Sequence, residues 1–253
     1  MISNFFLFCP FKDLLQRPST KIIGGFVVPE NSIHFKFTVK VNLYINKTKS
    51  SKCGGSLISP NYVLTAAHCV DKKLIPWKRV QVIQHDPKSK TDNIFKISNT
   101  LLHPEFKKTF GILLNDFAIL NLATPVKSSS KPFFVCLPKD DLDQHAGENI
   151  TISGWGKTIP TAKNGSNVLK AAFVRAMSNS ECSSVMEKYL NMYIQAKNLS
   201  SPHLSVSLPS SIMCVDGHLT QSTPCNGDSG GLLIFSLLIL LIFTYLFVGI
   251  SVF

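Results

Sequence analysis

Apolar and polar positions alternate in short runs through the first two thirds of the chain. Six runs stand out, Phe35–Tyr44, Gly55–Leu64, Val80–Gln84, Ile94–Leu102, Phe117–Leu122 and Asn149–Gly154, with Gly, Pro, Asn and Ser punctuating them. A period of two predicts strands, and many short strands separated by turn residues predict an all-β barrel or sandwich. Helical spacing shows mainly over Ser178–Tyr193, where Val185, Met186, Tyr189 and Leu190 repeat and Ser178 or Asn179 would cap the start. Asn198–Ser211, rich in Ser, Pro and Leu, reads as an exposed loop.

The last 22 residues, Leu232–Phe253, carry no charge and are long enough to cross a bilayer as a helix. No Lys or Arg follows to orient such a helix, and Ile, Phe, Val and Tyr dominate it. Two readings stay open: a membrane anchor, or an apolar tail appended to a foreshortened domain. A removable lipid anchor is disfavoured, because no polar spacer precedes the run.

Composition narrows the class. With 253 residues, 45% apolar and 16% charged, the chain is that of a globular protein with one large core or two smaller ones. The formal charge of +11 would suit nucleic acid, but the lysines lie singly and in pairs rather than in a stripe, so a solvated basic surface is expected and no nucleic-acid partner. Seven scattered cysteines form no CxxC pair, which points to disulfides made in an oxidising compartment, with one thiol left over. Sequons at Asn46, Asn149, Asn164 and Asn198 agree with the secretory pathway and glycosylation. Met1–Cys9 has a short apolar run without a basic start, so export is implied by the cysteines and not by a leader. No His, Asp or Cys cluster has metal-ligand spacing, and no cofactor is expected.

Three segments carry the chemistry of amide hydrolysis, which needs a nucleophile, a base, a group to orient the base, and donors for the oxyanion. Leu64-Thr65-Ala66-Ala67-His68-Cys69 sets a histidine just after an apolar strand. Asn115-Asp116-Phe117-Ala118-Ile119-Leu120 sets a carboxylate at the mouth of a buried strand, where it can hold an imidazole tautomer. Cys225-Asn226-Gly227-Asp228-Ser229-Gly230-Gly231 surrounds a serine with glycines that permit an unusual backbone and can aim adjacent N–H groups at one point. Singly, each would read as structural.

In this order the three resemble the trypsin/chymotrypsin family of serine proteases, whose triad has the order His, Asp, Ser. Ile22-Ile23-Gly24-Gly25 after Lys21, Leu102-His103-Pro104-Glu105-Phe106 and Gly154-Trp155-Gly156 extend the likeness to roughly residues 9–234. The resemblance implies two antiparallel β-barrels, the first over about 22–124 and the second over about 125–231, after an N-terminal activation segment at 1–21 and before the apolar tail at 232–253. It implies Ser229 as nucleophile, His68 as general base, Asp116 as its orienting carboxylate, and the N–H groups of Gly227 and Ser229 as the oxyanion hole. It also implies a zymogen: cleavage after Lys21 frees the Ile22 amine to pair with Asp228. Implied disulfides are Cys53–Cys69, Cys182–Cys214 and Cys9–Cys136, leaving Cys225. Ile150 and Phe235 stand where many relatives carry another linked pair. The implied partners are a protein or peptide substrate, an activating protease of basic specificity, and inhibitors of the serpin and Kunitz types.

The sequence also departs from the family. Relatives continue well beyond the Gly-Asp-Ser-Gly-Gly motif, building the last strands of the second barrel and a wall of the specificity pocket, so the second barrel is expected to be incomplete. Thr223 occupies the pocket base where trypsin-like members carry an aspartate, which removes the warrant for a basic preference. The long Cys182–Cys214 loop reads as a tolerated insertion. The alternative to an active endopeptidase is a catalytically impaired binding protein on a protease fold, or a truncated product.

Overall fold

The computed structural model describes residues 25–30, 32, 35–86, 91–109, 112–127, 134–135, 137, 145–158, 161–196, 205–208, 212–217, 222, 227–235 and 239–242. Lys21, Ile22, Thr223, Cys225 and the Cys9–Cys136 pairing lie outside these residues. Two β structures organise the described chain. The first is a closed barrel of β2 (Thr38–Tyr44), β3 (Ser50–Leu57), β4 (Tyr62–Thr65), β9 (Ala118–Leu122), β6 (Thr91–Leu102) and β5 (Arg79–Asp86), in that order around the ring. Its staves alternate as the sequence requires: Val39, Val41 and Leu43 of β2 and Leu120 of β9 are all 0% exposed and pack together inside.

The Gly55–Leu64 run divides into two strands. Ser59-Pro60-Asn61 supplies the turn: the Asn61 and Tyr62 N–H groups both donate to Ser59 Oγ, at 3.2 and 3.1 Å, and β3 folds back onto β4. Between barrel strands, β7 (Lys107–Thr109) and β8 (Ile112–Leu114) form a separate two-stranded ribbon.

The second sheet runs β1 (Phe26–Val27), β11 (Lys170–Met177), β10 (Asn149–Gly154), β13 (Leu232–Phe235) and β14 (Ile239–Ile242), with β12 (Cys214–Asp216) also paired to β11. It does not close among the described residues, so the fold is one complete barrel and one incomplete one. Because β1 pairs with β11, Phe26 and Val27, which fall inside the expected first barrel, sit on the second sheet. Its inner face is small: Ile150, Ile152, Ala172, Val174 and Ala176.

The tail is the main correction. Residues 232–235 and 239–242, for which the sequence left open a membrane anchor or an apolar tail, are antiparallel strands. β13 pairs with β10 in a register that sets Ile150 opposite Phe235, the two positions where relatives carry a linked pair. An uncharged run rich in β-branched residues satisfies a sheet as readily as a bilayer, and here a neighbouring strand supplies the backbone partners. Among the described residues no helix is long and apolar enough to cross a membrane.

Among the described residues the helices are the single-turn α1 (Ala67–Val70) and the 18-residue α2 (Asn179–Ala196). Ser178 is the cap of α2, its Oγ accepting from the Glu181 N–H at 3.1 Å. The Cys182–Cys214 disulfide ties the first turn of α2 to β12, over a small cluster that includes Leu208 and Ile212. Leu208, in the segment expected to be an exposed loop, is therefore buried.

Candidate active site

The first barrel delivers a histidine and a carboxylate to one point. β4 ends at Thr65 and the chain turns at once into α1, bringing His68 to the barrel mouth; β9 begins just after Asp116. Asp116 is 0% exposed and spends both carboxylate oxygens on His68. Oδ1 accepts the His68 backbone N–H at 2.7 Å, and Oδ2 lies 2.5 Å from Nδ1. Nδ1 therefore carries the proton, which leaves Nε2 with its lone pair. Asn115 turns the chain into this position with a left-handed φ of 51°, a conformation asparagine tolerates, and its side-chain amide donates to the Glu105 carbonyl at 3.2 Å.

The serine arrives from the other side. The loop 227–231 leads into β13 and is wedged between the two β structures. On the first-barrel side, the Gly54 N–H donates to the Ser229 carbonyl at 2.7 Å, and Thr65 Oγ donates to the Gly54 carbonyl at 2.7 Å. The approach leaves no room for side chains: a Cβ on Gly54 would stand 2.8 Å from Gly231 Cα, and one on Gly230 would stand 2.6 Å from the Gly54 carbonyl oxygen. On the second-sheet side, Asp228 is buried and its Oδ1 accepts the Gly156 N–H at 2.5 Å. Gly227 turns the loop with φ of 101°, which favours glycine, and Ser229 is 6% exposed.

The Cys53–Cys69 disulfide sits where these parts meet. Cys69 Sγ lies 3.6 Å from His68 Nε2 and 3.8 Å from the Ser229 carbonyl oxygen, so histidine and serine loop share one sulfur as a packing neighbour. Cys53, His68 and Cys69 hold their ligand atoms within 4.8 Å of one another, the spacing of a metal site. Both sulfurs are spent in the disulfide, however, and a disulfide offers no thiolate to a metal.

His68, Asp116, Ser229, Gly227 and Asp228 are thus brought together, and both described disulfides match the expected pairs. Sequence reasoning missed the surfaces that hold the serine loop: Gly54 and Thr65 on one side, Gly154 and Gly156 on the other. It also missed a contact joining the barrels, the Lys40 ammonium 5.0 Å above the Trp155 ring. Burial holds the Lys40 pKa below the usual lysine value, against the opposing pull of Asp92. The glycines flanking Trp155 were the available signal.

A family model described as Trypsin matches residues 22–250. Serine proteinase stubble of Drosophila melanogaster is 28% identical over 226 residues, covering 86% of this chain and 26% of that protein. Serine protease 1 of Rattus norvegicus is 25% identical over 83% of this chain and 73% of its own length. Trypsin 5G1 of Aedes aegypti is 29% identical, over 86% and 72% respectively. Among solved structures, neuropsin, a serine protease expressed in the limbic system of mouse brain, superposes with a TM-score of 0.64 over 86% of this chain and 84% of its own, at 20% identity, a likeness of fold. The chain belongs to the trypsin family of serine proteases.

Proposed function

We propose that this chain is a serine endopeptidase that works through His68, Asp116 and Ser229, and that it is made as a zymogen activated by cleavage after Lys21. The observation that carries the reading is the grip of buried Asp116 on both the backbone and Nδ1 of His68. That grip fixes one tautomer, and an imidazole so fixed takes a proton at Nε2 only.

The steps follow from the groups. Ser229 Oγ bonds to the scissile carbonyl carbon as its proton passes to His68 Nε2. The carbonyl oxygen takes the negative charge beside the N–H groups of Gly227 and Ser229. Collapse breaks the C–N bond, His68 returns the proton to the leaving amine, and an acyl-Ser229 ester remains. Water, deprotonated by His68, then adds to the acyl carbon, and as the C–Oγ bond breaks His68 returns the proton to Ser229 Oγ and the acid is released. Asp116 stays ionised throughout and stabilises the imidazolium.

In this reading the activating partner is a protease of basic specificity, since the bond to be cut follows Lys21. Protein substrates, inhibitors of the serpin and Kunitz types, and export through the secretory pathway belong to the same proposal, supported by the family and by two disulfides. Thr223 offers no carboxylate at the pocket base, so no preference for Lys or Arg is assigned. The open second sheet favours one competitor, a protease-fold binding protein with an impaired pocket.

Labelling by a biotinylated fluorophosphonate separates the two. The full chain is tested before and after cleavage at Lys21, with Ser229→Ala as control. Labelling that needs Ser229 and rises on cleavage is the expected result. A folded, cleaved chain that does not label leaves the binding protein as the reading.

A further inference from the structure

Thr65 ends β4 and is 0% exposed. It shares the inner face of the strand with Val63 of the barrel core, where valine would pack as well and where a hydroxyl must find a hydrogen-bond partner. That partner is the Gly54 carbonyl, to which Thr65 Oγ donates at 2.7 Å.

Gly54 takes a side-chain donor because the β3–β4 ladder stops short of it. Toward the site its last pair is Ser56 with Leu64. Past that pair the Gly54 carbonyl accepts the Thr65 hydroxyl, and the Gly54 N–H goes to the Ser229 carbonyl at 2.7 Å. The serine loop thus takes up the ladder where β4 leaves it. Gly230, with a φ of 73°, closes the contact: a Cβ there would overlap Thr65 Oγ and stand 2.9 Å from the Ala66 nitrogen. Thr65 is tied to the other two groups as well. It precedes His68 by one short turn and lies directly across from Ala118, at the start of the strand that follows Asp116, while the Ala67 N–H donates to the Asp116 carbonyl at 3.2 Å.

We propose that Thr65 is a positioning residue for the reaction: through Gly54 its hydroxyl fixes the peptide that follows Ser229, and so sets the nucleophile against His68 Nε2. This deepens the endopeptidase reading above and rests on it. The carboxylate of Asp228, held by the Gly156 N–H, fixes the peptide before Ser229, and Thr65 fixes the one after it. Without the hydroxyl, the Gly54 peptide loses the bond that sets its plane. The N–H that holds the Ser229 carbonyl then turns with it. Histidine and serine come from different β structures, and this one hydroxyl joins the strand that carries the first to the loop that carries the second.

The test follows labelling of the full chain, cleaved at Lys21, over a range of fluorophosphonate concentrations, so that probe binding and the chemical step are read separately. Thr65→Val keeps the shape and removes the donor. It should slow the chemical step at least about tenfold and change probe binding less than about twofold, and Thr65→Ser should restore the rate to within about threefold. Leu43→Ala is the structural control, since Leu43 is as deeply buried in the same barrel: it should lower the urea midpoint and leave labelling alone. Should Thr65→Val not fold, Thr65→Cys, near in size and a far weaker donor, makes the same comparison. A folded Thr65→Val chain that labels at the parental rate overturns the proposal, as does a slowing that Thr65→Ser does not relieve or that Leu43→Ala reproduces. If the cleaved parent itself does not label, the endopeptidase reading falls by itself, and amide hydrogen exchange decides the Thr65 link. Thr65→Val should then speed exchange of the Gly54 N–H at least about tenfold with β2 unchanged, and an unchanged Gly54 rate refutes the link.

Discussion

Gly154→Ala is the most direct probe of how the second sheet holds the serine loop. The φ of Gly154 is not in the left-handed region, so the backbone itself accepts alanine, and the new methyl acts only through what it touches. It touches the Asp228 carboxylate, standing 2.9 Å from Cγ where a carbon–carbon contact normally settles at about 3.5–4.0 Å. The carboxylate must retreat by about 1 Å, which stretches the 2.5 Å hydrogen bond from the Gly156 N–H beyond useful length. Losing a hydrogen bond to a charged group costs about 1.5–3 kcal/mol, and alanine's advantage over glycine in a strand returns about 0.5–1 kcal/mol. The net destabilisation is then about 1–2 kcal/mol, a fall of roughly 3–6 °C in Tm. Because the neighbouring Ser229 follows Asp228, a shift of about 1 Å should slow fluorophosphonate labelling of the cleaved chain about a hundredfold. Gly147→Ala is the control: Gly147 has a φ of 89° with nothing within 4 Å of a Cβ, so alanine there costs about 1–2 kcal/mol in backbone strain but leaves labelling alone. A Gly154→Ala chain that melts at or above the parent and labels at the parental rate would refute this account of the loop.

Three further outcomes are expected. Replacing Cys182 and Cys214 together by serine should lower stability by about 3–4 kcal/mol, the loop-closure entropy of a 32-residue separation, read as a drop in the urea midpoint, with labelling retained. Arg175 donates to Glu181 at 2.5 and 3.2 Å and holds its carboxyl below the usual range; the folded form therefore binds its proton less readily than the unfolded chain. The stabilisation is present above pH 4.5 and lost as pH falls through the lowered value, so Glu181→Gln should flatten that acid limb by about 0.5–1 kcal/mol, a small effect because both side chains are part-exposed. Lys40→Met removes a charge from above the Trp155 ring and should cost about 0.5–1 kcal/mol, measured by urea unfolding.

Residues that alternate could be read from sequence, and residues that do not could not. Val39, Val41 and Leu43 announce β2, and Ala118, Leu120 and Leu122 announce β9, because each strand has one face inside a closed barrel. β11 escaped notice for the opposite reason: Lys170, Ala171 and Ala172 are all buried in succession, so its two faces carry no contrast, and it reads Lys-Ala-Ala-Phe-Val-Arg-Ala-Met. The 232–242 segment is apolar but for Ser236, and nothing local distinguishes a helix in lipid from strands in a sheet; pairing with Asn149–Gly154 decides it. Glycines in the sequence mark where a tight approach is permitted without naming the partner. Gly54 meets Gly231 across 177 positions and Gly156 meets Asp228 across 72, and neither approach has a periodicity to betray it.

These long-range approaches also divide the site into parts of unequal robustness. His68 and Asp116 both hang on the closed barrel, where every strand has two neighbours and their mutual bonds are buried. Ser229 hangs on a loop whose carbonyl is held by Gly54 of that barrel and whose preceding carboxylate is held by Gly156, just beyond the end of β10 in the open sheet. An open sheet has fewer contacts to lose before it deforms. Mild denaturant should therefore release the serine loop before it disturbs the His68–Asp116 pair, and labelling should fall at a lower urea concentration than barrel fluorescence from Trp77, whose indole N–H is bonded to the Val70 carbonyl at 2.9 Å. Coincident transitions would mean that the two barrels unfold as one unit and that the open sheet is no weaker than the closed one.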